Sequence, residues 1–367
     1  MKYKPIILNL TYLDSISSSP PETPRWLTDK MFFLLIPFGL FGFILNIACF
    51  TSFFYLFNKN NTNKFYTYLK IYSLNSSIVC LILCFSYFSY TQRYFQSSSS
   101  ITINDNYYLN GVYRCVILNY ISTSLFYFDN ILCILIGVER ISMFINQIRK
   151  LKSISAYLIC FYGFMASFLI NSPVLVWYIV YKNKSENDGP KQNENDLGYL
   201  IKTCGLATFL KDDYYGLGLA MAANSLKGFG TVIVEIFVTL LCLKYLNQFI
   251  NCQIAMRTSH HDHQNHHSNN AIHLTHHSNK NDEIENKLKL AISLLTITIF
   301  THFIASLSYF ANIYDALDNR QQTYHMLINF NYAFNYILFQ LKLIANIFIY
   351  FYHDRSFRNF ILTRRTQ

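Results

Sequence analysis

The chain has 367 residues, of which 52% are hydrophobic, 17% aromatic and only 14% charged, and it carries a net charge of +10. Soluble domains average about 25% charged residues, so this composition excludes an ordinary water-soluble globule and calls for lipid. The lysines and arginines fall in short clusters between apolar runs and form no continuous stripe, which excludes nucleic acid as a partner.

Residues 1–30 are polar and Pro-bearing, with no apolar core and no small-residue cleavage site, so no cleavable signal peptide is expected and the first apolar segment directs insertion. Crossing about 30 Å of hydrocarbon at 1.5 Å per residue takes roughly 20 apolar residues. Seven runs meet that length: 31–57, 65–90, 112–145, 153–181, 216–248, 288–314 and 324–352. The second is rich in Ser and Tyr, and Lys227 and Glu235 interrupt the fifth. Continuous apolar runs without strand alternation satisfy their backbone in lipid only as helices. The expected fold is therefore an all-α membrane protein, a seven-transmembrane-helix bundle over 31–352.

Orientation follows from the loops. With the first loop inside, Lys59, Lys64, Arg149, Lys150, Arg257, Lys287, Arg355 and Arg358 all become cytoplasmic, as the positive-inside tendency prefers. Residues 1–30 then form an extracellular N-terminus and 353–367 a cytoplasmic tail. Two glycosylation sequons, at Asn9 before the first helix and Asn183 after the fourth, agree with this topology; Asn60-Asn61-Thr62 would face the cytosol unmodified.

Between the fifth and sixth runs, residues 251–285 carry eight of the eleven histidines without hydrophobic periodicity, and this cytoplasmic loop is expected to be disordered. The irregular spacing of these histidines and the lack of Cys over 260–277 argue for a low-complexity insertion rather than a metal site, with a zinc- or copper-sensing role as the open alternative. Cys49, Cys80, Cys84, Cys133, Cys160 and Cys242 lie inside apolar runs as small hydrophobes, whereas Cys115 and Cys204 sit at segment edges. The 33 Phe and 29 Tyr fit a base-composition bias, and no aromatic cage is inferred from them.

Polar residues at particular depths give the bundle more character. The third run starts with Cys115 and ends with Glu139-Arg140-Ile141; the seventh carries Asn346-Ile347-Phe348-Ile349-Tyr350; the first carries Gly42-Phe43-Ile44-Leu45-Asn46. This pattern resembles the rhodopsin-like (class A) G-protein-coupled receptors. Glu139-Arg140-Ile141 is similar to their Asp/Glu-Arg-Tyr motif, the 25-residue Cys115 to Arg140 separation (140 minus 115) matches their register, and the Asn346 to Tyr350 stretch resembles their Asn-Pro-x-x-Tyr with the proline lost. The resemblance implies a disulfide between Cys115 and Cys204 and a short amphipathic membrane-surface helix from about Phe357-Arg358. It implies that Glu139 holds Arg140 in the closed bundle, that Arg140 is offered to a heterotrimeric G protein when it opens, and that Tyr350 then bridges to the third helix. It implies no cofactor and no enzymatic activity. The chain departs from the pattern in the sixth helix, where 300–306 has neither the tryptophan nor the proline of the family's hinge, and in the fifth helix, which lacks its proline.

Asp129 and Lys342 are ionisable residues deep in apolar segments, a functional-site signature by default. Asp129 lies 11 residues above Arg140, about 16 Å, and Lys342 lies 8 residues above Tyr350, about 12 Å, so the two can meet if those ends are level. The family binds sodium with a helix-two aspartate, but this second run offers Asn75 and Ser76 instead. The expectation is that the Lys342 ammonium replaces the sodium ion and Asp129 replaces that aspartate. The competing arrangement pairs Lys342 with Glu235.

Ser122 stands where the family's amine receptors keep an aspartate, and Gln340 where visual pigments keep their retinal lysine, so neither a monoamine nor retinal is expected as ligand. An extracellular peptide, contacting the charged loop over 186–213, is the favoured ligand, with plasma membrane as location. The alternative is a seven-helix chemosensory, channel or transport protein without G-protein coupling. His302, His325 and His353 are scattered and suggest no enzyme site.

Overall fold

The computed structural model describes residues 25–59, 64–95, 113–145, 153–173, 178–182, 202–206, 214–263, 271–317 and 321–363. The helices in chain order are α1 (Arg25–Lys59), α2 (Lys64–Phe95), α3 (Thr123–Ile141), α4 (Ala156–Asn171), α5 (Tyr214–His263), α6 (Ala271–Leu317), α7 (Gln321–His353) and α8 (Arg355–Thr363). A π-helical segment, Tyr113–Ser122, runs directly into α3. One antiparallel hairpin, β1 (Tyr178–Lys182) with β2 (Lys202–Leu206), pairs Val180 with Cys204.

Six helices are long and apolar enough to cross a membrane, over Phe33–Leu56, Lys64–Phe85, Val116–Ile141, Lys227–Ile254, Glu283–Ser306 and Phe334–His353, while α4 is a shorter apolar helix. Large apolar side chains such as Phe41, Ile44, Leu169, Phe237, Leu240 and Phe348 point outward on these helices. An apolar outer surface of that kind suits lipid and would aggregate in water. The chain is on these grounds a multi-pass membrane protein.

α3 is the central helix. It packs on α2, α4, α5 and α6, and the ring around it closes through contacts of α1 with α2, α1 with α7, α7 with α6 and α6 with α5. Small residues set the closest approaches. A Cβ on Gly39 would lie 2.7 Å from the Cys84 Cβ and 3.0 Å from the Cys80 carbonyl oxygen, so α1 touches α2 backbone to backbone. α4 runs antiparallel to α3: Ile154, just before it, accepts a hydrogen bond from Lys64, Phe164 meets Phe128 edge to face at 5.4 Å, and the Phe168 carbonyl accepts the Tyr120 hydroxyl at 3.3 Å.

Two expectations shift. The fourth run, expected to be helical over 153–181, ends its helix at Asn171, and Tyr178 already belongs to a strand. Pro173, two residues past Asn171, has no N–H to extend the hydrogen-bond ladder of α4, and the β-branched and aromatic sequence Tyr178-Ile179-Val180-Tyr181 favours a strand. The loop expected without structure over 251–285 is helical up to His263 and again from Ala271, with 264–270 outside the described residues. Extending a helix already nucleated in an apolar segment adds one hydrogen bond per residue without a new nucleus. Glu283–Lys287 and Glu285–Lys289 ion pairs at i,i+4 spacing support the start of α6.

α8 begins on a cap. The Asp354 carboxylate accepts the Phe357 backbone N–H at 3.0 Å, satisfying one of the donors that a helix start leaves unpaired. Phe357 and Phe360 then dock on α1, 5.0 Å from Phe53 and 4.9 Å from Tyr55 between ring centres.

Candidate functional site

A buried polar cluster surrounds Asp129 of α3. Lys342 donates to Asp129 Oδ2 at 2.9 Å and to Asn130 Oδ1 at 3.5 Å. The other carboxylate oxygen of Asp129 accepts from Ser76 at 3.2 Å and from Asn75 at 3.3 Å, and the Asn75 amide also donates to the Leu125 carbonyl at 3.0 Å. Asp129 and Lys342 are both sealed from solvent, at 1% and 2% side-chain exposure. A buried charge pair tolerates loss of water only when its geometry is good and its remaining lone pairs are bonded, and both conditions hold here. Three helices, α2, α3 and α7, thus share one carboxylate. The competing pairing of Lys342 with Glu235 is not formed; Glu235 faces His302 instead.

The network continues toward the Arg140 end of α3. Asn346 donates to the Tyr72 hydroxyl at 3.0 Å, and Asn46 donates to the Gly42 carbonyl at 2.8 Å and to the Leu343 carbonyl at 3.2 Å, tying α1 to α7. Tyr350 is fully buried, with its ring edge-on to Phe53 at 5.0 Å and its hydroxyl without a hydrogen-bond partner.

Arg140 departs from the expected lock. Among the described residues no carboxylate lies within ion-pair distance of it. Its guanidinium carbon stands 3.9 Å from the centre of the Phe65 ring, and Nη1 reaches Met143 Sδ at 3.7 Å. Successive residues on a helix point about 100° apart. Glu139 accordingly stays half-buried at the edge, where its backbone carbonyl accepts the Ser142 hydroxyl at 2.7 Å, while Arg140 turns inward at 3% exposure. Ile141 is buried beside it. The stacking partner sits at the start of α2, and Lys287 of α6 approaches the same aromatic pair, 5.9 Å from Phe65 and 5.1 Å from Tyr66. A desolvated cation over an aromatic face is attracted by about 2 kcal/mol.

The hairpin carrying Cys204 lies against the π-helical segment that holds Cys115. The side chains of both cysteines lie outside the described residues, as do Asn9 and Asn183. Among the described residues no three His, Cys, Asp or Glu side chains group as a metal site.

No protein-family model matches this chain, and no curated protein matches it either. Any assignment of function therefore rests on the geometry and on the sequence motifs alone.

The sequence reading missed two contacts, the Arg140–Phe65 stack and the Glu235–His302 pair. Phe65 is one of 33 phenylalanines and carries no distinguishing mark. Glu235 and His302 lie on long helices whose rotation no anchor fixes in advance. The signal that was available is the rule that an ionisable residue inside an apolar run seeks a partner.

Proposed function

We propose that the chain is a G-protein-coupled receptor that passes an extracellular signal, carried by a peptide, to a heterotrimeric G protein. The observation that carries the reading is Arg140: a guanidinium buried at the end of the central helix, stacked on the Phe65 ring with Met143 Sδ beside it and, among the described residues, no carboxylate within ion-pair distance. An arginine kept in so weak a clasp is available to a partner at little cost once α2 and α6 shift. α4 is the seventh crossing in this proposal, running antiparallel to α3 as an alternating bundle requires, with the N-terminus outside and the plasma membrane as location. Asn9 and Asn183 are then glycosylated, and Cys115 and Cys204 join through a disulfide that pins the hairpin to the outer end of α3.

In the same reading the Lys342 ammonium stands where related receptors hold sodium. A covalent cation cannot dissociate, so the central carboxylate is neutralised permanently and the receptor responds to no sodium concentration. The test is reconstitution of the purified full chain in lipid nanodiscs with a panel of heterotrimeric G proteins. Accelerated nucleotide exchange on at least one of them, with or without a peptide pool, is the expected result; no acceleration on any overturns the assignment.

A further inference from the structure

Lys227 stands at the start of the apolar segment Lys227–Ile254 of α5, at the end of the bundle remote from Arg140. Its ammonium donates to the Asn171 side-chain carbonyl at the end of α4 and lies 5.9 Å from the centre of the Tyr127 ring on α3. Tyr127 is 13 residues from Arg140, about 20 Å along the axis, so α3, α4 and α5 bring these three groups together in the half of the bundle away from Arg140. Asn171 is fully buried, and its amide nitrogen donates to the Ser167 carbonyl at 2.7 Å, which leaves its own carbonyl aimed at Lys227.

Among the described residues no carboxylate lies within ion-pair distance of Lys227. Asp129 pairs with Lys342, Glu283 with Lys287 and Glu285 with Lys289. Glu235 lies 8 residues further along α5, about 12 Å, and faces His302. Asp354 caps α8, and Glu139 sits at the Arg140 end of α3. An amide carbonyl accepts a hydrogen bond but neutralises no charge, and a tether between α4 and α5 would need only a neutral donor. A lysine has three N–H donors, and Asn171 takes one. A cation placed in an apolar segment is costly and marks a ligand site by default. The surroundings choose the anion. Phe168, one turn before Asn171, meets Tyr120 edge to face at 5.7 Å and Phe164 at 4.6 Å. One turn along α5 from Lys227, a Cβ on Gly230 would meet nothing within 4 Å, so space is open there. Phosphate, with close to two charges, calls for a cluster of cations. A single ammonium beside aromatic rings suits a carboxylate on an apolar stem.

We propose that Lys227, positioned by Asn171 and flanked by Tyr127, binds the carboxylate of a ligand with an apolar stem. The carboxylate accepts from the remaining N–H donors of the ammonium, and the stem lies against the aromatic side chains of α3 and α4. Two sources supply such a group: the C-terminus of an apolar peptide, or a fatty acid taken from the leaflet at this end of the bundle. The peptide source rests on the receptor reading above, whereas binding at Lys227 requires no G protein.

The test is thermal stabilisation of the full chain in phosphatidylcholine nanodiscs by two acids and their neutral controls: laurate with its amide, and N-acetyl-leucyl-phenylalanine with a free or an amidated C-terminus. At least one acid should raise the melting temperature, and its amide should not. Lys227→Gln, which keeps a donor for Asn171 but no charge, should weaken that acid by about tenfold or more, and Lys227→Arg should retain it. Stabilisation by laurate alone supports the site with a membrane-derived acid as its source, and stabilisation by the dipeptide supports it with a peptide. No stabilisation by either acid, or equal affinity in the wild type and Lys227→Gln, overturns the proposal. If Lys227→Gln does not fold, equal stabilisation of the wild type by an acid and its amide also overturns it. Nucleotide exchange is a separate readout, so a failure of G-protein coupling and a failure of this site are told apart.

Discussion

The guanidinium of Arg140 rests on the ring of Phe65, 3.9 Å from its centre, with no carboxylate among the described residues within ion-pair distance. An ionic clasp at this end of a bundle would weaken with salt, whereas a desolvated cation on an aromatic face is little screened. A double-mutant cycle on Arg140→Met and Phe65→Leu should give a coupling of about 1–2 kcal/mol in detergent unfolding, changed little by 0.5 M salt. Glu139→Gln should leave Arg140 in place and change stability by less than about 1 kcal/mol.

Asp129 and Lys342 behave as a unit. Removing one partner strands a buried charge, so Asp129→Leu and Lys342→Met should each destabilise the chain by about 3–5 kcal/mol. The double variant Asp129→Leu with Lys342→Met replaces both charges by apolar groups and should recover most of that loss. Melting temperatures of the four proteins measure the cycle, and strictly additive losses would contradict the pairing.

Gly39 sets the distance between α1 and α2. Gly39→Ala places a Cβ 2.7 Å from the Cys84 Cβ and 3.0 Å from backbone, neither of which can swing aside. The strain should exceed the gain in helix propensity and cost about 1–3 kcal/mol. A lowered melting temperature for Gly39→Ala, with Gly230→Ala unchanged or raised because nothing lies within 4 Å of that site, is the expected contrast.

Docking of α8 should depend on pH. Burial pushes the Asp354 carboxyl above its ordinary value, while the Phe357 N–H and Lys287 act the other way. The sign is that of a raised folded value: the favourable contribution is complete below the unfolded value of about 3.9 and is lost as pH rises through the folded one. A fluorophore at Arg358 should report tighter docking at pH 4 than at pH 7. Asp354→Asn, which keeps a capping oxygen without a titration, should abolish that difference.

The sequence made the bundle legible because its two strongest signals are lengths and depths. Apolar runs fixed six long helices, and counting residues from Arg140 and Tyr350 placed Asp129 and Lys342 at similar heights before any contact was known. Counting along a helix gives height but not rotation. The Phe65 stack and the Glu235–His302 seam depend on which way each helix turns, and that is decided by packing around Gly137, where an added Cβ would stand 2.7 Å from Val238 and 2.9 Å from Leu295. The polar extensions of α5 and α6 were hidden for another reason. Helix there continues from the apolar segments, and residues without hydrophobic periodicity give no sign of it.

Arg140 as the transducer contact is most directly examined in cells expressing a panel of tagged G-protein sensors. The wild type should activate at least one sensor, basally or with a peptide pool, and Arg140→Ala at matched surface expression should lose that signal. Equal signals from the two proteins would contradict the account.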